Sequence, residues 1–417
     1  MTQHEGQFGK YQLLERIATG GMAEIYRARY QAAAGVTKPV VIKKILPHYA
    51  GNKNFVSMFI NEAKIAAGLS HGNIAQVFDF GEIDGDYYIA MEFVHGQPLS
   101  RVLRKAKSMD LPVLPPPLAV LIAMEMCKGL HYAHTRLDER GQPLNIIHRD
   151  VSPQNVILSY EGQVKIVDFG IAKARNAGQG PQTESGAVKG KYVYFSPEQA
   201  RGRELDARTD VFATGVVLYE MLCGKLPFEG KMMDVLGRIV RGDFPRPRAL
   251  NPDLPASLER VLLNAMTIEK TARFATAQAF QDALSSYLYS TRVSASSSSL
   301  EGLMSYLFEK ELLQEGIPVK LPPNFMQQLA TWRAPPPAGE EDESTRSDKP
   351  SSKARSGPQP LRPARGAQHS PNVETAVPQG PGQVTTRPGA DAAPAILVER
   401  PLQVGEPSSS TGPGQSG

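Results

Sequence analysis

The stretch "NIIHRDVSPQNVIL" places an acid, Asp150, five residues before an amide, Asn155, at the end of an apolar run. A carboxylate can accept the proton of an attacking hydroxyl, and an amide oxygen near it can help hold Mg²⁺. Thirteen positions after Asn155 a second apolar strand, "VKIVDFGIAK", ends in Asp168-Phe169-Gly170. Upstream, Lys43 interrupts the apolar strand "VVIKKIL", where an ammonium needs an anionic partner or an exit to solvent. Lys44 faces the other side of that strand and reads as an ordinary solvated lysine. Glu62 lies on a helix with an apolar stripe at Phe59, Ala63, Ala66 and Ala67, and Lys43 gives it a reason to be more than a surface glutamate. Small residues in "IATGGMAEIYRAR" stand between two strands, where main-chain N–H groups can approach phosphate oxygens. A tight hairpin turn explains the same residues.

These groups need a scaffold, and the first 290 residues supply its pattern. "YQLLERIA", "AEIYRARY", "KPVVIKKIL", "IAQVFDFGEI" and "DYYIAMEFV" are short, rich in β-branched or aromatic residues and separated by turn signals, as strands are. Helices dominate after about residue 99; "PPPLAVLIAMEMCKGLHYAH" opens on prolines and repeats Ile122, Met126, Leu130 and Ala133 at helical spacing. "SSLEGLMSYLFEKELLQEG", residues 298–316, reads as one further helix outside the main fold, docked or partner-seeking. Residues 335–417 are rich in Pro, Gly, Ser and Ala with few large apolar side chains, so they are expected to be disordered.

Composition narrows the function. The 417 residues are 41% hydrophobic, enough for a large two-lobed domain or two smaller ones. A net charge of +4 from mixed charges gives no electrostatic case for nucleic-acid binding. Residues 118–127 and 211–223 are too short and too interrupted by glutamate to span a bilayer. The polar start lacks the apolar core of a signal peptide, so a cytoplasmic location is expected. Cys127 and Cys223 lie in apolar stretches and read as buried, reduced thiols.

Taken together and in order, the Gly-loop, Lys43, Glu62, "HGNI", "HRDVSPQN", "DFG", "SPE", "DVFATG" and "ARF" make residues 11–290 resemble the protein-kinase catalytic domain, specifically the bacterial Hanks-type (eukaryotic-like) serine/threonine protein kinases. The resemblance implies an α+β, bilobal fold: a polar tail over 1–10, a small β-rich N-lobe and larger helical C-lobe over 11–290, a helical extension over 291–334 and the disordered tail. It implies ATP and Mg²⁺ as cofactors. Lys43 would hold the α/β-phosphates and pair with Glu62, Asn155 and Asp168 would bind the metal, and Asp150 would orient and deprotonate the attacking hydroxyl. The adenine and phosphates would rest on Ile17, Ala18, Gly20, Gly21, Ala23, Ile25, Val41, Met91, Glu92, Val94 and Ile157. Only Gly20 survives of the family's glycine pattern, with Ala18 and Ala23 in the flanking places. His148 would pack on Phe169, Glu198 pair with Arg273, and Asp210 anchor the catalytic loop.

Two departures stand out. The family's catalytic-loop lysine is Ser152 here, and the threonine of G-T-x-x-Y-x-[AS]-P-E is Lys191. In the family those two positions are neighbours, so a swap is expected in which Lys191 reaches Asp150 and the γ-phosphate and Ser152 takes the small hydroxyl role. Arg149 and the loop residues Thr183 and Ser185 suggest a phosphorylation switch. The Pro153-Gln154-Asn155 form of the loop favours serine and threonine over tyrosine. The implied partners are ATP, protein substrates and cytoplasmic proteins recruited through the 298–316 helix and the tail, with no nucleic acid and no membrane. The rival is a nucleotide-binding pseudokinase scaffold; the SPE pattern speaks against a small-molecule kinase.

Overall fold

The computed structural model describes residues 6–32, 35–169, 191–291, 294–319 and 321–333. Gly170, Thr183, Ser185 and the 335–417 segment lie outside these residues.

The first six strands form one antiparallel sheet. They are β1 (Gly6–Phe8), β2 (Tyr11–Thr19), β3 (Ala23–Gln31), β4 (Thr37–Ile45), β5 (Val77–Ile83) and β6 (Asp86–Glu92), with the short α1 (Pro47–Ala50) and α2 (Lys53–Ala67) following β4. The sheet order is β1-β2-β3-β4-β6-β5. Side chains alternate across it. Tyr26, Ala28, Val40, Ile42, Tyr88 and Ala90 share one face with Phe8 and Tyr11, whereas Ala23, Ile45 and Ile89 face Phe59 and Ala63 of α2. Glu62 is buried on this same helix; Ala66 is half-buried and Ala67 is exposed, so the apolar stripe is narrower than its sequence suggests. The strand Gly6–Phe8 falls within the stretch read as a polar tail. Three residues carry too little pattern to betray it, yet Phe8 is buried edge-on against Tyr88, with ring centroids 5.5 Å apart.

The second part is helical. β7 (Gly96–Pro98) leads into α3 (Leu99–Ser108) and α4 (Pro116–His134), and β8 (Val156–Ser159) and β9 (Val164–Ile166) complete a three-stranded sheet with β7. Then come α5 (Pro197–Ala200), α6 (Arg208–Cys223), α7 (Met232–Arg241), α8 (Pro247–Leu250), α9 (Ala256–Ala265) and α10 (Ala277–Ser290). In α6 every residue except Arg208 and Glu220 is buried, the signature of a helix enclosed on all sides. Cys127 and Cys223 are free and buried, and burial pushes the Cys223 thiol up to about 12. No helix among the described residues is long and apolar enough to cross a membrane.

Two more helices, α11 (Ser297–Gln314) and α12 (Phe325–Arg333), follow. Leu300, Leu303, Met304, Leu307 and Phe308 of α11 are all buried and belong to the same core as α4 and α6. The apolar face of α11 is therefore covered by the domain itself rather than offered to a partner. Phe308 lies 6.1 Å from Tyr160, ring to ring, and Lys105 of α3 pairs with Glu311 at 2.8 Å. Glycine makes two of these approaches possible. Gly162, at φ +78°, passes so near Ser297 that a Cβ would lie 1.9 Å from its carbonyl oxygen, and a Cβ on Gly302 would lie 2.4 Å from the Phe325 ring.

Gly302→Ala tests this docking because two effects oppose each other there. Alanine gains about 1 kcal/mol of helix propensity, while overpacking in a close-packed site costs about 1–3 kcal/mol. The clash should win and lower the melting temperature of the full chain. An unchanged or raised value would mean that α12 does not seat on α11.

Candidate active site

The cleft face of β4 carries Val41 and Lys43, and the register pairs Lys43 with Ile25 on β3 and with Ile89 on β6. Lys43 Nζ donates to Glu62 Oε1 at 2.9 Å and to Asp168 Oδ1 at 3.0 Å. This joins the sheet, α2 and the segment after β9 in one contact. Burial works against the Lys43 charge, but Asp168 and Glu62 outweigh it and raise its pKa. The carboxylates respond differently. Burial dominates at Glu62 and pushes it up; at Asp168 burial pulls the same way but Lys43, with Lys191 and His148, holds the group below its usual range.

The catalytic loop hangs from α6. Asp210 is fully buried, and its carboxylate accepts the backbone N–H groups of His148 at 2.8 Å and Arg149 at 2.9 Å and contacts His134 Nε2 at 2.8 Å. His148 packs on Phe169, with ring centroids 4.6 Å apart; its Nδ1 accepts from Asp150 N–H and its Nε2 donates to the Val167 carbonyl. Asn155 Nδ2 donates to the Asp150 carbonyl at 2.8 Å and to Asp150 Oδ2 at 3.0 Å. Lys191 Nζ donates to the same Oδ2 at 2.9 Å and approaches Asn155 Oδ1 at 3.4 Å. The Ser152 hydroxyl, 1% exposed as a residue, has no hydrogen-bond partner among the described residues. The contact with Asp150 is thus made by Lys191 and not by Ser152. Arg149 and Asp168 both adopt left-handed backbone, at φ +65° and +54°. Such strain costs about 1–2 kcal/mol per residue and persists only where neighbours enforce it.

The residues assigned to a nucleotide line the cleft unevenly. Ile25, Val41 and Ile157 are half-buried on its two sides, while Ile17, Ala18 and Gly20 are exposed and Gly21 half-exposed at the β2–β3 turn. That turn closes through a Gly20 N–H to Ala23 carbonyl bond of 2.8 Å. Ala23 belongs to the cluster packed on α2, where its side chain is core. Met91 borders a cavity of about 20 Å³ with Glu62, Asp168 and Phe169. Glu92 donates its N–H to Gln76, so any bond it makes to an adenine amine goes through its carbonyl; its side chain pairs with Lys165 at 2.8 Å. Val94 follows, half-buried, in the strand-to-strand link.

The same order of landmarks is matched by the protein kinase domain family over residues 11–297. The chain belongs to that family. Its relatives are bacterial Hanks-type kinases. It is 46% identical over 282 residues to the tyrosine-protein kinase MasK of Myxococcus xanthus, covering 67% of this chain and 43% of the relative. It is 33% identical over 271 residues to the serine/threonine-protein kinase PrkC of Bacillus subtilis, covering 65% and 39%. Among solved structures, the Mycobacterium tuberculosis PknI kinase domain superposes with a TM-score of 0.51 at 27% identity, covering 69% of this chain and 99% of that one. The chain spans less than half the length of the curated relatives it matches.

Sequence reading missed some supports of this kinase domain. Gln199 Nε2 holds the Arg149 carbonyl at 2.9 Å while its backbone N–H and side-chain oxygen complete a capping box with Ser196. The S-P-E-Q order was the available signal. His134 on Asp210 carried no local signal. Glu198 and Arg273 do form a buried two-armed pair, at 2.7 Å on each arm.

Arg273→Ala would leave Glu198 buried without its cation, which costs about 3–5 kcal/mol. Chemical denaturation should show a loss of that order. A change below about 1 kcal/mol, the range of surface pairs, would deny the pair this role.

Proposed function

We propose that this chain is an ATP-dependent serine/threonine protein kinase. The observation that carries the reading is the assembled contact of Lys43 with both Glu62 and Asp168, beside Asp150 and Asn155 on a loop held by Asp210. A decaying active site has no reason to keep this arrangement.

The donor set suits Mg²⁺. Asp168 and Asn155 offer hard oxygens, and no cluster of three or more metal-ligating His, Cys, Asp or Glu side chains exists among the described residues. Mg²⁺ characteristically takes few protein ligands and completes its shell with phosphate oxygens and water. Bound there, it would neutralise charge on the phosphates. Lys43 holds the α/β-phosphates, Ile25, Val41 and Ile157 enclose the adenine, and the Met91–Val94 segment reads its edge. The substrate hydroxyl oxygen attacks the γ-phosphorus, its proton passes to Asp150, the bond to the β-phosphate oxygen breaks and ADP leaves. Autophosphorylation at Thr183 or Ser185 and a cytoplasmic setting with protein partners belong to this reading.

One observation favours a second acceptor. MasK is named a tyrosine kinase, and Lys191 stands where serine/threonine kinases of this family carry threonine beside the substrate.

The test is radiolabelled phosphate transfer from Mg-ATP by the full chain, with Lys43→Met beside it, followed by phosphoamino-acid analysis. Wild-type transfer that the variant loses, on serine or threonine, is the expected result. Label on tyrosine alone would replace the acceptor class. Nucleotide binding with no transfer would leave the pseudokinase scaffold.

A further inference from the structure

Lys191 is a departure that family membership does not explain. It is the first residue of a short 3₁₀ turn, Lys191–Tyr194, and lies on the chain between Asp168 and the SPE sequence. Its ammonium lies 2.9 Å from Asp150 Oδ2 and 3.4 Å from Asn155 Oδ1, so it touches both the proposed base and a proposed metal ligand. Its charge is also felt at Asp168. On the protein-kinase reading, these three groups flank the transferred phosphoryl. A cation there meets the phosphate oxygens as charge builds during transfer.

Ser152 meanwhile cannot supply that charge. It is buried two residues from Asp150, and its hydroxyl bonds to nothing among the described residues. A buried hydroxyl without a partner costs about 1–3 kcal/mol, and that is an odd feature for a position chosen to make a contact.

We propose that Lys191 is a catalytic residue that binds the γ-phosphate, so that the phosphoryl-transfer cation is borne by the segment after Asp168 instead of by the catalytic loop. Ser152 is then a vacated position, not a second active group. The proposal rests on the protein-kinase reading, and its test is chosen to stand apart from it.

The experiment measures Mg-ATP and Mg-ADP affinity by isothermal titration calorimetry on the full chain, together with phosphate transfer. Lys191→Met should weaken Mg-ATP about tenfold, the loss of one charge-assisted contact, and leave Mg-ADP unchanged. Transfer should fall about 100-fold or more. Equal weakening of both nucleotides would overturn the proposal and make Lys191 a mere positioning group for Asp150; unchanged transfer would overturn it outright. Ser152→Ala should keep both affinities and the rate, and loss of transfer there would return a role to the hydroxyl against the proposal. The exchanged pair, Ser152→Lys with Lys191→Thr, should regain much of the rate lost in Lys191→Thr alone. A folded double variant without that gain would overturn the exchange, and if it does not fold the ATP-to-ADP contrast decides. Should the wild type transfer nothing at all, the kinase reading fails, while the same contrast still reports whether Lys191 meets the γ-phosphate.

Discussion

A lysine in the middle of an apolar strand organises this molecule. An unpaired ammonium at position 43, largely removed from water, would cost several kcal/mol. Its charge is met by Glu62 from α2 and Asp168 from the segment after β9. Those two elements belong to different parts of the fold, 125 residues apart between Lys43 and Asp168. One cation therefore ties α2 and the segment after β9 to the same point of the sheet. Removing either carboxylate leaves the other to carry the burial alone.

Hydrophobic burial could not have done this. It is strong but has no direction, and the large core around α4 and α6 would tolerate small shifts of the loops above it. Direction comes from a few buried polar contacts. Asp210 takes two consecutive N–H groups of the catalytic loop, Gln199 holds the Arg149 carbonyl, and Arg273 locks Glu198 one residue before Gln199. The left-handed backbone at Arg149 lies between the Asp210 and Gln199 contacts, and that at Asp168 lies between the Lys43 contact and the buried Phe169 ring. The strained residues sit where neighbours fix the chain on both sides, which is why the strain survives.

This division also explains what was legible in the sequence. Local chemistry could be read: the β4 strand with its misplaced lysine, the Asp150–Asn155 spacing and the prolines that open α4 all announce themselves within a few residues. The pairing of Lys43 with Glu62 and Asp168 followed from the need to compensate a charge. Contacts without a local signature were not legible. β1 is three residues long, His134 meets Asp210 across 76 positions, and Ala23 looks like part of a phosphate loop until the sheet register turns it toward α2. The periodicity of α11 showed an apolar face but could not say what covers it. The answer, α3, β8 and Phe325, depends on glycines at 162 and 302 whose purpose appears only in three dimensions.

The charge inventory of the site shows why losing the catalytic-loop lysine need not mean losing the enzyme. Lys43 and Lys191 stand against Glu62, Asp150 and Asp168, two cations to three carboxylates. A relative with lysine at 152 and threonine at 191 would carry the same five charges. The field at that end of the cleft depends on where the charges lie and not on which element bears them. What differs is the mechanical dependence. A lysine at 152 would be fixed by the loop that Asp210 already anchors. A lysine at 191 is fixed by the turn that continues into the Ser196 capping box and, through Glu198, into the Arg273 pair. The electrostatics of the site is thereby tied to the SPE segment, because a shift of that segment moves the charge facing Asp150.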